Sequence, residues 1–177
     1  TDLPESFARR PLSVGEKREA TIPFHCPAFF LNPLSLKISN SLYYAMHRDT
    51  QQFVDYETFF YPLDKIHKWN RLYGRRGFVQ YQALFPKETA RRGLIELLEK
   101  ISSSRKASFL AVLKGSGAAS KGLLSYLYPG YTLALDFPNT GEDLQQLLRQ
   151  LDEILLRHGG RLYLAKDAMM TAEAFTF

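Results

Sequence analysis

Two amides and two lysines stand where strand-like segments would present them together. Gln80 and Gln82 are two residues apart in a run, 77–85, whose side chains alternate: Phe78, Gln80, Gln82 and Leu84 on one side, Val79, Tyr81, Ala83 and Phe85 on the other. A buried amide must find hydrogen-bond partners, so a pair of them on one face means either a polar pocket or a solvated surface. Lys114 and Lys166 each close an apolar segment. A lysine at such a place is ordinarily solvated, but with the two amides these lysines can ring one pocket. The other unusual segment is Trp69-Asn-Arg-Leu-Tyr-Gly-Arg-Arg-Gly77. Arg71, Arg75 and Arg76, interleaved with Trp69 and Tyr73, suit a phosphate or a stacked base. The plainer alternative is a turn whose arginines cap helix ends and pair with Asp64.

Several chemistries lack their residues. His25, His47, His67 and His158 are far apart and near no carboxylate cluster at ligand spacing, so no metal site is expected. The stretch from Lys114 to Gly122 is rich in Gly and Ser, but Ser120 and Gly122 flank Lys121 where a phosphate loop wants Gly before the lysine and Ser or Thr after it. No nucleophile elbow of the G-x-S-x-G type is present. Cys26, the single cysteine, stands next to Pro27 and reads as a small packed residue.

The elements that must position these side chains follow from periodicity. After Pro86, apolar Leu94, Leu97, Leu98 and Ile101 make one helical stripe. Residues 107–114 and 131–137 read as strands. In the second, Tyr131, Leu133, Leu135 and Phe137 share one face, and Thr132, Ala134 and Asp136 the other. Thr140 and Asp143 resemble a capping box. Leu144, Leu147, Leu148, Leu151, Ile154 and Leu155 then form the clearest helical stripe, which Gly159-Gly160 would stop. A fourth strand is predicted over 161–166, and 115–130 is a Gly/Ser-rich loop with an apolar patch. The order β-α-β-β-α-β is that of the split βαβ, or ferredoxin-like, arrangement: an α+β fold with an antiparallel sheet and helices on one face. That leaves Gln80, Gln82, Thr132, Ala134 and Asp136 on the open face.

Upstream, the spacing predicts a helix from Asn32-Pro33 to Met46, with Leu34, Ile38, Leu42 and Ala45 as its apolar stripe, and strand composition over 52–61. Residues 1–60 are thus expected to form an irregular arm with a short helix and an edge strand, and 61–177 the ferredoxin-like domain. Of the 177 residues, 45% are apolar and 23% charged, so the chain is neither disordered nor a coiled coil and can bury one core. Lys+Arg 23 against Asp+Glu 18 leaves +5, which suits an anionic ligand but is too scattered to mark a nucleic-acid binder.

Four ordered blocks resemble a known family. They are His67-Lys-Trp-Asn-Arg-Leu-Tyr-Gly-Arg-Arg-Gly-Phe-Val-Gln-Tyr-Gln82, Ser108-Phe-Leu-Ala-Val-Leu-Lys114, Pro129-Gly-Tyr-Thr-Leu-Ala-Leu-Asp-Phe-Pro138 and Gly159-Gly-Arg-Leu-Tyr-Leu-Ala-Lys-Asp167, with Phe60-Tyr-Pro-Leu-Asp64 in agreement. They look like the flavin-dependent oxidases related to decaprenylphosphoryl-β-D-ribose oxidase, of the vanillyl-alcohol-oxidase type. The likeness covers about residues 55–175 well and the N-terminal arm poorly.

The resemblance implies a cap, or substrate, domain whose sheet roofs a flavin held by a separate FAD-binding domain absent from this chain. The 177 residues would then be a fragment, inactive alone, of an enzyme that oxidises a sugar secondary alcohol by hydride transfer to FAD. By motif position it implies that Gln80, Gln82, Lys114, Thr132 and Tyr61 line the substrate, that Lys166 is catalytic, and that Lys166 and Gln82 meet the flavin. It further implies a phosphorylated or lipid-linked sugar as substrate and a short-chain dehydrogenase as partner for epimerisation. The expected place is the cytoplasm, at the membrane through the substrate. Thr132 and Ala134 depart from the Asn and Cys of the mycobacterial oxidases, so no thiol chemistry is expected there. Two rival readings stand beside it: the cap of an aldonolactone or alditol oxidase, and a ferredoxin-like RNA-binding module. The last requires an aromatic pair on the open sheet face.

Overall fold

The computed structural model describes residues 20–27, 32–46, 59–106, 108, 110–122, 125–166 and 169–176. The chain divides into two compact units, Thr1–Pro23 with Gln51–Trp69, and Phe24–Thr50 with Asn70–Phe177. The second unit thus takes in 24–50, which the sequence reading assigned to the arm.

In the first unit, β1 (Ala20–Thr21) pairs in parallel with β2 (Ile66–His67), after a 3₁₀ turn at Pro62–Lys65. Of the 52–61 stretch expected as strand, 52–58 lie outside the described residues, and Phe59 and Phe60 are helical.

In the second unit, α1 (Pro33–Met46) starts where the sequence places it. The Asn32 Oδ1 accepts the Leu34 and Ser35 amides at 2.9 Å each, and proline takes the first helical position, where an amide hydrogen is dispensable. The expected apolar stripe, however, packs on nothing described: Leu34, Ile38 and Leu42 are exposed and only Leu36 is buried.

The rest of this unit is one layered body. Its sheet has the order β4-β5-β3-β6, with every pairing antiparallel. β3 is Phe78–Pro86, β4 Leu110–Ser116, β5 Gly130–Pro138 and β6 Arg161–Leu162. Helix α2 (Ala90–Ser103) joins β3 to β4, and α3 (Glu142–Arg157) joins β5 to β6. A short α4 (Ala172–Thr176) follows. The structure is therefore α+β, a four-stranded antiparallel sheet with helices.

The core lies on the helix side. Tyr81, Ala83 and Phe85 of β3 and Leu133, Leu135 and Phe137 of β5 meet Leu97 and Ile101 of α2 and the α3 stripe Leu144, Leu147, Leu148, Leu151, Ile154 and Leu155. Each such side chain gives about 1.5–3 kcal/mol on burial, so this face fixes the register. The α2 stripe is rotated from expectation: Leu98 is exposed, and Ala90, Gly93, Leu97 and Ile101 face inward. Gly93 explains the rotation, since a Cβ there would stand 2.5 Å from the Phe85 ring, which fills the space instead.

Two expected ends are corrected and one holds. Gly141, not Thr140, is the N-cap of α3, so no capping box forms. The C-terminus of α3 is as expected: Gly159 has φ +70°, and the amides of Gly159 and Gly160 reach back to Leu156 and Leu155 carbonyls at 2.9 Å. Gly159→Ala should cost about 1 kcal/mol, read as a lower urea midpoint. The fourth strand is only Arg161–Leu162; a 3₁₀ turn at Leu164–Lys166 replaces its second half. An edge strand is held from one side alone, and the Lys166 amide closes this turn on the Tyr163 carbonyl at 2.8 Å. Among the described residues no helix is long and apolar enough to cross a membrane.

Candidate functional site

The open face of the sheet follows from register. Gln80 lies opposite Asp136, Gln82 opposite Ala134, Leu84 opposite Thr132, and Thr132 opposite Lys114 on β4. Directly paired residues share a face, so these side chains stand on the side away from the helices. Gln80 and Gln82 are half-buried there and belong to no part of the core.

Two polar clusters form. In the first, the Gln80 Nε2 donates to the Asp136 Oδ1 at 2.6 Å. Asp136 is fully buried, and its other oxygen, Oδ2, has no hydrogen-bond partner among the described residues. Burial raises its pKa above the ordinary carboxylate value, against the opposing pull of the Gln80 amide, the Lys166 charge and the Tyr73 hydroxyl. The 3₁₀ turn that cuts β6 short thus brings the Lys166 ammonium to act on this carboxyl. In the second, the Gln82 Nε2 donates to the Tyr126 hydroxyl at 3.2 Å and lies 3.4 Å from the Thr132 Oγ1. The Tyr126 and Thr132 hydroxyls bond each other.

Tyr126 comes from the Gly/Ser-rich loop. The later residues of that loop dock on this chain's own sheet. Tyr126 is buried and its ring lies 4.9 Å from that of Tyr163. The Tyr128 hydroxyl donates to the Leu84 and Gly159 carbonyls at 3.1 Å each, and burial pushes its pKa up to about 12. The signal in the sequence was the aromatic content of a segment otherwise composed for flexibility. Tyr126→Phe would strip both Gln82 and Thr132 of a partner in a buried place. It should cost about 1–2 kcal/mol, read as a lower denaturation midpoint of the 177-residue chain.

The expected site residues are therefore gathered unevenly. Gln80, Gln82 and Thr132 lie together, and Lys166 sits within electrostatic reach of Asp136. The hydroxyl of Thr132, only 5% exposed, is committed to Tyr126 and Gln82. Lys114 shares the face but is exposed on the edge strand β4. Tyr61 belongs to the first unit. Sequence reasoning placed Asp136 on this face without assigning it a part, named Tyr73 only with the basic turn, and missed Tyr126 and Tyr163. Tyr73 is buried, with its ring 4.6 Å from Phe78. The aromatic side chains over this face come from turns and loops, apart from Phe78 of β3.

What this face can do is specific. The Lys166 ammonium makes no hydrogen bond or ion pair among the described residues, beside half-buried amides and a sealed carboxylate. Such a surface binds a neutral polar ligand rich in oxygen and steadies negative charge developing on it. Among the described residues no three His, Cys, Asp or Glu side chains come together to hold a metal.

No protein-family model matches the chain. Over 174 residues, 98% of its length, it is 34% identical to the decaprenylphosphoryl-beta-D-ribose oxidase of Mycolicibacterium smegmatis. It spans 37% of the length of that protein. Over 80 residues, 45% of the chain, it is also 34% identical to an uncharacterized protein in the mprA 5' region of Streptomyces coelicolor. The alignment with the ribose oxidase thus spans nearly the whole chain, beyond the four blocks from which the resemblance was read.

Proposed function

We propose that this chain is the ferredoxin-like cap domain of an FAD-linked oxidoreductase and that the face bearing Gln80, Gln82, Asp136 and Lys166 shelters the flavin and the sugar being oxidised. The observation that carries this reading is the position of Gln80, Gln82 and Asp136 on the side of the sheet away from its helices, with the Lys166 charge acting on Asp136 from the turn that follows β6. The strand order β4-β5-β3-β6 with two helical crossovers supports the fold. The similarity to the ribose oxidase supports the chemistry.

The residues fit such a cofactor. A ring edge of carbonyl oxygens and acceptor nitrogens needs donors, and the Lys166 ammonium offers them, while Gln82, its amide nitrogen held by Tyr126 and Thr132, would present its carbonyl oxygen as an acceptor. When bound, FAD supplies the hydride acceptor. This chain's part is the rest. The amides of Gln80 and Gln82, held by Asp136, Tyr126 and Thr132, orient the substrate hydroxyls without having to be ordered on binding. The Lys166 ammonium beside a secondary hydroxyl favours departure of its proton and stabilises the resulting oxygen charge. Lys114, at the exposed edge, reaches a phosphate on a polyprenylphosphoryl-ribose-like substrate. A short-chain dehydrogenase completes an epimerisation. Alone, the chain has no turnover.

The test uses the full-length parent. Purified from cells, it should carry FAD, and anaerobic mixing with a polyprenylphosphoryl ribose should bleach the flavin absorbance. A parent that carries FAD but is reduced only by an aldonolactone or alditol would replace the substrate and keep the cap. A parent without FAD that retains single-stranded RNA on a filter would replace the whole reading.

A further inference from the structure

A large cavity among the described residues lies at the end of the sheet, away from Gln80 and Gln82. It is a cleft of about 560 Å³ where β5 ends and β3 begins. Arg75, Arg76, Arg105 and Lys106 line it, and Tyr73 and Phe137, both buried, form its apolar floor. No carboxylate lines it among the described residues. Asp143 meets the Lys106 Nζ at 3.7 Å from outside, with its own side chain 82% exposed. The three guanidinium groups have no hydrogen-bond or ion-pair partner among the described residues. They come from two separate turns, so the segment whose arginines stood out in the sequence gains Arg105 only through the fold.

Arg105 adds a second observation. It follows the C-cap of α2 with φ 55°, the left-handed region that glycine enters freely and arginine enters at a cost. A strained backbone here carries a free guanidinium in the wall of a cavity.

We propose that this cleft binds an organic phosphate ester, with the phosphoryl group on the guanidinium groups of Arg75, Arg76 and Arg105 and the carbon moiety on the Tyr73–Phe137 floor. Guanidinium forks match phosphate oxygens in pairs. A concave wall of one charge sign concentrates the field on an anion. The volume decides for an ester over the bare ion, because it lies in the range of sites for drug-sized organic ligands, about 300–1,000 Å³. The cleft meets the amide-bearing face only at Tyr73 and shares none of Gln80, Gln82 and Lys166, and the proposal does not rest on the oxidase reading.

Cys26 lines the same cleft and is the only cysteine, so its alkylation rate reports occupancy. In the 177-residue chain, phenyl phosphate should bind by calorimetry and slow alkylation of Cys26 by iodoacetamide. Arg105→Gly removes the guanidinium and suits the left-handed backbone, so it should fold and yet bind about tenfold more weakly. Arg75→Ala with Arg76→Ala should weaken binding likewise, whereas Arg91→Ala with Arg92→Ala, exposed on α2, should not. Inorganic phosphate should bind less tightly than phenyl phosphate. Vesicles of phosphatidylglycerol test the source: protection of Cys26 by them that Arg105→Gly abolishes assigns the phosphoryl group to a lipid headgroup. Protection by the soluble ester alone assigns it to a soluble metabolite, and either supports the cleft. Absence of saturable binding to ester and vesicles, equal protection by phenol, or affinity unchanged in both arginine variants would overturn it.

Discussion

In the full-length parent, Lys166→Ala should slow flavin reduction by about 10²–10³-fold, the usual cost of removing one preorganised group that meets developing charge, with FAD content equal to wild type. The expectation rests on the proposed function and on where the fold puts this lysine. Lys166 closes a 3₁₀ turn after a strand only two residues long, and its charge acts on the buried Asp136. A side chain whose backbone is pinned by the Tyr163 carbonyl and which looks toward a sealed carboxylate is held ready before substrate arrives. Lys166→Arg separates the two roles that a lysine can play. A guanidinium keeps the charge but is a poor base, so partial recovery of the rate identifies an electrostatic role, and no recovery identifies a base. Reduction at the wild-type rate in Lys166→Ala would remove this residue from the chemistry.

The second large effect is on stability and concerns a residue that no pattern or motif singles out. Asp152 sits on the buried stripe of α3, 5% exposed, among Leu148, Leu151 and Leu155. Burial raises its pKa to about 6; the Tyr81 hydroxyl opposes this and the neighbouring Glu153 adds to it. Lys166 lines the same small space between sheet and helix. In the unfolded chain an aspartate titrates near 3.9. The folded state therefore holds the proton more tightly than the unfolded state. Stability from this group is fully present below about pH 4 and is lost as pH rises through about 6. The loss is about 3 kcal/mol, at about 1.4 kcal/mol for each pH unit between the two values. Asp136, also raised by burial, adds in the same direction.

Asp152→Asn should accordingly match wild type at pH 4 and exceed it at pH 8 by up to about 3 kcal/mol. Urea unfolding of the 177-residue chain at the two pH values measures this. An Asn variant whose stability tracks wild type across the range would mean that Asp152 titrates normally. The residue is then a cost of folding at neutral pH, and its Oδ1, without a hydrogen-bond partner among the described residues, is where that cost lies.

Local pattern made much of this protein legible. Alternation in 77–85 and 131–137 placed Tyr81, Ala83, Phe85, Leu133, Leu135 and Phe137 on one side and Gln80, Gln82, Thr132 and Asp136 on the other, as observed. The α3 stripe, the Gly159-Gly160 stop and the Asn32-Pro33 start were also readable, because each is set by contacts within one element. What failed depended on partners far along the chain. The rotation of α2 turns on the Phe85 ring occupying the space over Gly93. The exposure of the α1 stripe depends on what packs against it, which helical periodicity does not contain. The 161–166 strand stops short because the chain turns at Leu164–Lys166, the Lys166 amide bonding the Tyr163 carbonyl instead of β3.

The candidate site divides the same way. That Gln80 and Gln82 share a face follows from a period of two and nothing else. That Gln80 meets Asp136 over 56 residues of chain, that Tyr126 returns from the Gly/Ser-rich loop to bind Gln82, and that Arg105 joins Arg75 and Arg76 around one cleft are matters of register and closure. Side-chain direction along a strand or helix is local geometry and is written in order of residues. Which two directions converge depends on how the whole sheet pairs and packs, and the free energy that selects the pairing is spread over the core rather than carried by the residues that meet.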